Sequence, residues 1–123
     1  MQVGIDIIEI ARIKKAVTKN PAFWERILTP EEKQYCQSKG ELLAITSLAG
    51  RFAAKEAILK CLGTGLGEVS WQEMEIKNDS KGRPKVALNG HGGQVLEAMG
   101  LKGINLSISH CRDYATAVAI GVE

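Results

Sequence analysis

Arg51-Phe-Ala-Ala-Lys55-Glu56-Ala-Ile-Leu-Lys60 lies inside a run from 41 to 62 that reads as one helix, with no proline and only Gly50 to weaken it. At about 100° per residue, Leu42, Ile45, Leu48, Ala49, Phe52, Ala53 and Leu59 fall on one side, an apolar stripe suited to a core. Glu56 stands in the middle of that stripe. An isolated buried carboxylate neutralises in preference to staying charged, so Glu56 requires a partner. The nearest is Lys60, one turn on and in the favourable order with Glu first. An ordinary i,i+4 ion pair accounts for that much. A second buried carboxylate would point instead to a cation between the two acids or to a shared proton.

A second acid stands near the start of the chain. Residues 2–8 form an apolar run rich in Val and Ile and predict a buried strand. Alternation sets Val3, Ile5 and Ile7 on one face and Gly4, Asp6 and Ile8 on the other. Asp is disfavoured in strands and costly in a core, and Gly4 leaves backbone room beside it. Two explanations stand: Asp6 ends the strand and caps the next helix, or it meets Glu56 across the core. That next helix, 9–19, carries Arg12, Lys15 and Lys19 on one side. They make either a solvated basic face or a docking surface for an acidic partner.

Asn20-Pro21 breaks the chain before a short helical piece at 22–28. Thr29-Pro30-Glu31-Glu32 then combines an N-cap Thr, Pro at the first helical position and Glu where a capping box places it, so a helix begins there and runs to about Ser38. After the long helix comes Gly63-Thr64-Gly65-Leu66-Gly67. A phosphate cradle normally precedes a helix, whereas this loop follows a helix C-terminus, where the dipole repels anions. Gly63 is expected as the left-handed C-cap, leaving neighbouring N–H groups as the only phosphate donors on offer. Residues 71–77 and 84–88 read as strands joined by a hairpin turn. Asn89-Gly-His-Gly-Gly93 opens a helix over 94–99, and strands follow at 104–110 and 114–122. The order predicts an α+β fold: a single small domain over 1–123, with a mostly antiparallel sheet packed with helices.

A chain of 123 residues, 45% hydrophobic and 24% charged, has room for one domain and one core. Sixteen basic against 14 acidic residues leave a net charge of +2, so nothing global argues for nucleic acid or membrane. Three widely spaced cysteines, Cys36, Cys61 and Cys111, lack the pattern of a zinc site or a disulfide framework and predict reduced thiols. No leader pattern and no apolar run of membrane length are visible, and the expectation is a cytoplasmic protein. His110 ends a strand next to a turn, a position that suits a structural hydrogen bond as well as a functional one. Serine triads, HExxH zinc sites and Walker loops are absent from the sequence.

Taken together, Gly4-Ile-Asp6 with Arg12 six positions later, the Arg51–Lys60 run, the Gly63-Thr64-Gly65 loop and Ser107-Ile-Ser-His110 resemble the holo-acyl-carrier-protein synthase family of phosphopantetheinyl transferases. The resemblance covers most of the chain in order. It implies that Asp6 and Glu56 bind Mg²⁺ on the pyrophosphate of coenzyme A, and that Lys60 neutralises charge on the phosphoryl oxygens. It implies transfer of the 4′-phosphopantetheine arm to a serine of acyl carrier protein, in support of fatty acid biosynthesis, with release of adenosine 3′,5′-bisphosphate. By the same resemblance Arg51, Lys55, Lys60, Gly63, Gly65 and His110 lie near the nucleotide and its phosphates, and Arg12, Lys15 and Lys19 receive the acidic carrier protein. The family is typically a homotrimer with active sites between subunits.

Overall fold

Small residues on a strand and on a helix let two backbones touch, and that contact organises this chain. In the computed structural model, which describes residues 2–123, β1 (Val3–Glu9) is followed by α1 (Ile10–Lys19), α2 (Phe23–Ile27), α3 (Pro30–Gln37) and α4 (Glu41–Leu62). A 3₁₀ turn (Trp71–Glu73) leads into β2 (Met74–Asn78), β3 (Pro84–Leu88), α5 (Gly90–Ala98), β4 (Gly103–His110) and β5 (Tyr114–Val122). All strand pairing is antiparallel, in a sheet of order β1-β5-β4 and a separate β2-β3 hairpin. The expected α+β class and order of elements are present.

The sheet packs on α4 through Gly4 and the alanines of both elements. A Cβ on Gly4 would stand 1.9 Å from the Ala57 carbonyl oxygen and 2.6 Å from the Cys61 nitrogen. Ala53, Ala54 and Ala57 of α4 and Ala115 and Ala119 of β5 are wholly buried. The side of β1 bearing Gly4, Asp6 and Ile8 therefore faces the helix. Val3, Ile5 and Ile7 lie on the outer face, 59%, 63% and 63% exposed. The strand is thus buried on its less apolar side only, because a closely approaching helix selects for small side chains and not for greasy ones.

The apolar stripe expected on α4 is also redrawn. Leu48, Ala49, Ala53 and Leu59 are buried, but Leu42 is 78% exposed in the first turn, beyond the reach of the sheet. From Leu48 onward burial extends around the helix and takes in Arg51 and Lys55. The reason is that α4 belongs to two apolar clusters, one shared with β2, β4 and β5, the other with α1, α2 and α3. Its C-terminus closes as expected on Gly63 in the left-handed conformation, φ 70°.

Other boundaries move for local reasons. Ser70 and Glu73 form a capping box, so 71–73 is a 3₁₀ turn and the strand expected from 71 begins at Met74. Glu73 also accepts the backbone N–H of His91 at 2.6 Å, which lets α5 start at Gly90 instead of 94. The capping box at Thr29 and Glu32 forms as predicted. All three cysteines are free, and among the described residues no helix is long and apolar enough to cross a membrane.

Glu32 does more than cap. Its carboxylate accepts from Thr29 N (2.9 Å), Ile76 N (3.0 Å) and Lys55 Nζ (2.7 Å). Lys55 Nζ also donates to the carbonyls of Ile27 (2.7 Å) and Trp71 (3.0 Å), and both side chains are fully buried. Burial pushes the Lys55 amine below its usual range, with the Glu32 charge opposing that shift. Removing Glu32 strands Lys55 as a buried charge, and removing Lys55 leaves Glu32 only the Arg51 guanidinium, at 3.9 Å. Lys55→Met and Glu32→Leu are each expected to cost about 3–5 kcal/mol in urea unfolding. The double variant is expected to recover little, since four backbone groups lose their partners; wild-type stability in the double variant would contradict this.

Candidate active site

Because Gly4 seats β1 directly on α4, the next inward residue of the strand, Asp6, points at the last turns of the helix. Asp6 is mid-strand, paired with Ala117, and its side chain is 17% exposed. It does not cap α1, whose N-cap is Glu9 without a side-chain bond. Its own carbonyl accepts the Thr116 hydroxyl at 2.7 Å, which ties this point of β1 to β5.

Lys60 reaches across to the strand. Its ammonium lies 3.2 Å from Asp6 Oδ1 and 3.0 Å from the Ile5 carbonyl oxygen, while the side chain as a whole stays 56% exposed. The simple Glu56–Lys60 pair is therefore replaced by a three-cornered arrangement. Burial first, and the Asp6 charge second, push the Glu56 carboxyl above the usual carboxylate range, while Lys60 pulls it down. Two acids that repel each other and one amine thus meet at a partly open surface. A cation between the acids would relieve that repulsion.

The donors fit a hard divalent ion completed from outside the chain. Among the described residues no cluster of three or more His, Cys, Asp or Glu stands ready for a metal. The protein offers two carboxylates, and water or a ligand's oxygens must supply the rest, which is the habit of Mg²⁺.

The remaining expected site residues are not gathered there. Arg51 precedes Glu56 by five residues, which places it about 140° away around the helix. It is buried, donates from Nη2 to Asn78 at 2.7 Å and lies over the Tyr35 ring at 4.7 Å. Its Nε has no hydrogen-bond partner among the described residues. Beside it is a small cleft of about 160 Å³ lined by Ser47, Gly50, Asn78 and Ile108. His110 is exposed at the end of β4, separated from β1 by β5. Lys55 is inside the protein with its three donors engaged, so its ammonium has nothing left for a phosphate. Gly63 and Thr64 use their N–H groups to close α4 on the carbonyls of Lys60 (3.2 Å) and Leu59 (3.1 Å). Arg12, Lys15 and Lys19 are exposed along α1.

Two features escaped the sequence reading. Glu32 was legible as a cap but not as the buried counter-ion of Lys55, because capping spacing says nothing about a partner 23 residues away. The stacking of Phe23, Phe52 and Trp71 joins three elements and has no local pattern.

Comparison with known proteins identifies the family. The model of the 4′-phosphopantetheinyl transferase superfamily matches residues 2–119. A holo-[acyl-carrier-protein] synthase of Moorella thermoacetica is 45% identical over 120 residues, covering 98% of this chain and 92% of that protein. The crystal structure of the Neisseria meningitidis holo-[acyl-carrier-protein] synthase superposes with a TM-score of 0.90 at 35% identity, covering 99% of this chain and 98% of that one. The Helicobacter pylori synthase, solved in complex with coenzyme A, gives 0.84 at 35% identity over 97% and 98% of the two chains. With residues 2–119 matched by the superfamily model and 98% of its length aligned to a named relative, the chain belongs to the holo-[acyl-carrier-protein] synthase family of the 4′-phosphopantetheinyl transferase superfamily.

Proposed function

We propose that this protein, acting as one transferase domain in the cytoplasm, moves the 4′-phosphopantetheine arm of coenzyme A onto a serine of apo acyl carrier protein and so serves fatty acid biosynthesis. The observation that carries the reading is the meeting of Asp6, Glu56 and Lys60 at the contact between β1 and α4. Relatives solved with coenzyme A bound support the choice of donor.

In the reaction the serine Oγ–phosphorus bond forms and the bond from that phosphorus to the bridging pyrophosphate oxygen breaks. The serine proton is taken up by a base, and adenosine 3′,5′-bisphosphate leaves. Mg²⁺ held by Asp6 and Glu56 would supply charge neutralisation on the pyrophosphate oxygens. Lys60, half-exposed on a flexible stem, turns from Asp6 and the Ile5 carbonyl to the phosphoryl oxygens as negative charge grows there. Glu56 accepts the serine proton directly or through water.

Arg51 and His110 stand away from Glu56 within one protomer, which favours a nucleotide site completed by a neighbouring copy. The uncovered outer sheet face supports the same reading. Val3, Ile5 and Ile7 lie beside Ile120, Val118 and Thr116, an apolar surface open to water in a single chain. A homotrimer burying this face and building its active sites between subunits accounts for both observations. Gly65 and the Arg51 cleft then lie toward the nucleotide, and Lys55 serves the scaffold. The basic face of Arg12, Lys15 and Lys19 receives the acidic carrier protein.

Three sets of results are expected. In intact-mass assays apo acyl carrier protein with coenzyme A and Mg²⁺ gains one phosphopantetheine arm, and the gain is lost with chelator or with Asp6→Ala. In the same assay Arg12→Glu with Lys15→Glu raises the carrier KM and leaves that for coenzyme A nearly unchanged. Release of phosphopantetheine from coenzyme A without carrier would make the protein a hydrolase instead.

The second concerns charge at Glu56. A carboxyl whose folded value is raised contributes stability below the unfolded value and loses it as pH rises through the folded one. Ionised Glu56 therefore destabilises the metal-free protein at neutral pH. Glu56→Gln is expected to raise Tm there, with the gap closing below the ordinary Glu range; Mg²⁺ should raise the wild-type Tm and not the variant's. A lower Tm for Glu56→Gln at neutral pH would contradict the repulsion. The third is that Ile5→Asp turns a trimer into a monomer by light scattering and removes transfer; an unchanged mass would show that this face is not the interface.

A further inference from the structure

A cleft of about 660 Å³ lies at the end of α4 remote from the acids, where the first turns of that helix face α1 and α2. That volume falls within the roughly 300–1,000 Å³ of small-molecule sites. Its apolar walls are Ile10 and Val17 of α1, Trp24 of α2, and Leu42 and Ile45 of α4. Ile10, Val17 and Ile45 pack on the apolar cluster beneath, whereas Leu42 is 78% exposed. The exposed Leu42, beyond the reach of the sheet, is thus one wall of a concave apolar surface and not an isolated greasy residue.

The charge of the cleft is one-sided. Lys14 and Thr18 stand on its α1 wall, and the depression continues past them over Ala11 to Lys15 and Lys19. Lys14 is exposed and has no ion-pair partner among the described residues. It lies about 100° from Lys15 around α1, on the side away from Arg12. The basic face of Arg12, Lys15 and Lys19 therefore leaves Lys14 out, and Lys14 borders the cleft instead. The α4 wall carries a single exposed carboxylate, Glu41. An apolar cleft is thus joined to a mouth with three lysines on two turns of one helix.

We propose that this cleft binds a fatty acid, with its chain along Ile10, Val17, Trp24 and Ile45 and its carboxylate at Lys14. An uncharged apolar ligand would leave the lysines unused, and a small hydrophilic anion would leave the apolar walls wet. Burial of the chain supplies affinity in proportion to apolar area, and the lysines fix which end emerges. The site is separate from the transferase centre, since Ile45 precedes Glu56 by eleven residues, about 16 Å along α4. One consequence rests on the carrier-docking face proposed above. A carboxylate at Lys14, Lys15 and Lys19 neutralises part of the surface that receives acyl carrier protein, so the fatty acid competes with the carrier and not with coenzyme A. The class of molecule built on charged carriers thereby restrains their charging.

The chain has two tryptophans, of which Trp24 lines the cleft and Trp71 lies outside it. ¹⁹F NMR of the full-length protein labelled with 5-fluorotryptophan reads the site alone when laurate is added below its micelle concentration, without coenzyme A or carrier. A saturable shift of the Trp24 resonance is expected, with that of Trp71, assigned through Trp71→Phe, left in place. Lys14→Glu, an exposed position whose change leaves the native spectrum intact, is expected to weaken laurate roughly fivefold. Dodecyltrimethylammonium, the same chain with the opposite charge, is expected to give no saturable shift. An unsaturable shift, shifts of both tryptophans, or equal binding of the cationic amphiphile would overturn the site. In transfer assays saturating laurate is expected to raise the carrier KM and leave that for coenzyme A unchanged; an unchanged carrier KM would overturn the competition. Absence of transfer by the wild-type protein without laurate would overturn the transferase reading and leave the NMR result standing.

Discussion

The buried Lys55–Glu32 pair is the interaction on which the helical half depends. One ammonium and one carboxylate gather the end of α2, the start of α3, the 3₁₀ turn and β2 onto α4. The attraction between the two charges by itself gains little net energy, because both leave water, and the cost of replacing the pair lies in the four backbone groups it satisfies. Its value here is positional. Each charge has several backbone partners at fixed directions, and a hydrophobic contact would tolerate sliding that these bonds do not. The ladder of Phe23, Phe52 and Trp71 inherits its geometry from the same frame.

Adjacent residues on α4 carry opposite duties. Lys55 points into the protein, while Glu56, about 100° further round, comes out beside Asp6. The helix is therefore both the centre of the core and one wall of the site, and its regular pitch transmits the position of one to the other. This explains why burial extends around α4 where an amphipathic stripe was expected.

The parts legible in sequence were those where a residue contradicts its surroundings. Asp6 in an apolar strand and Glu56 in an apolar stripe are costly unless they serve each other, and the structure does bring them together. Caps were legible too, since Thr29, Glu32 and Gly63 act on neighbours within four residues. Contacts distant in sequence were not. A lysine normally reads as a surface residue, and nothing near Lys55 announces Glu32. Hydrophobicity alone likewise misplaces the inner side of β1, because Val3, Ile5 and Ile7 are greasier than Gly4, Asp6 and Ile8; steric room decided the matter. Arg51 stands in the same motif as Glu56 but on another flank, so a motif can list residues that the fold of a single chain does not bring together.

Gly4 sets the gauge between the acids. Where β1 crosses α4 the main chain of one element rests against the main chain of the other, with no side chain as a spacer. Rotamer changes and substitutions elsewhere in the core alter side-chain spacers, and here there is none to alter. The separation of Asp6 from Glu56 is consequently insulated from sequence drift and from thermal loosening of the core. Changing the gap between the two acids would require β1 to move on α4 and to carry its hydrogen-bonded neighbour β5 with it.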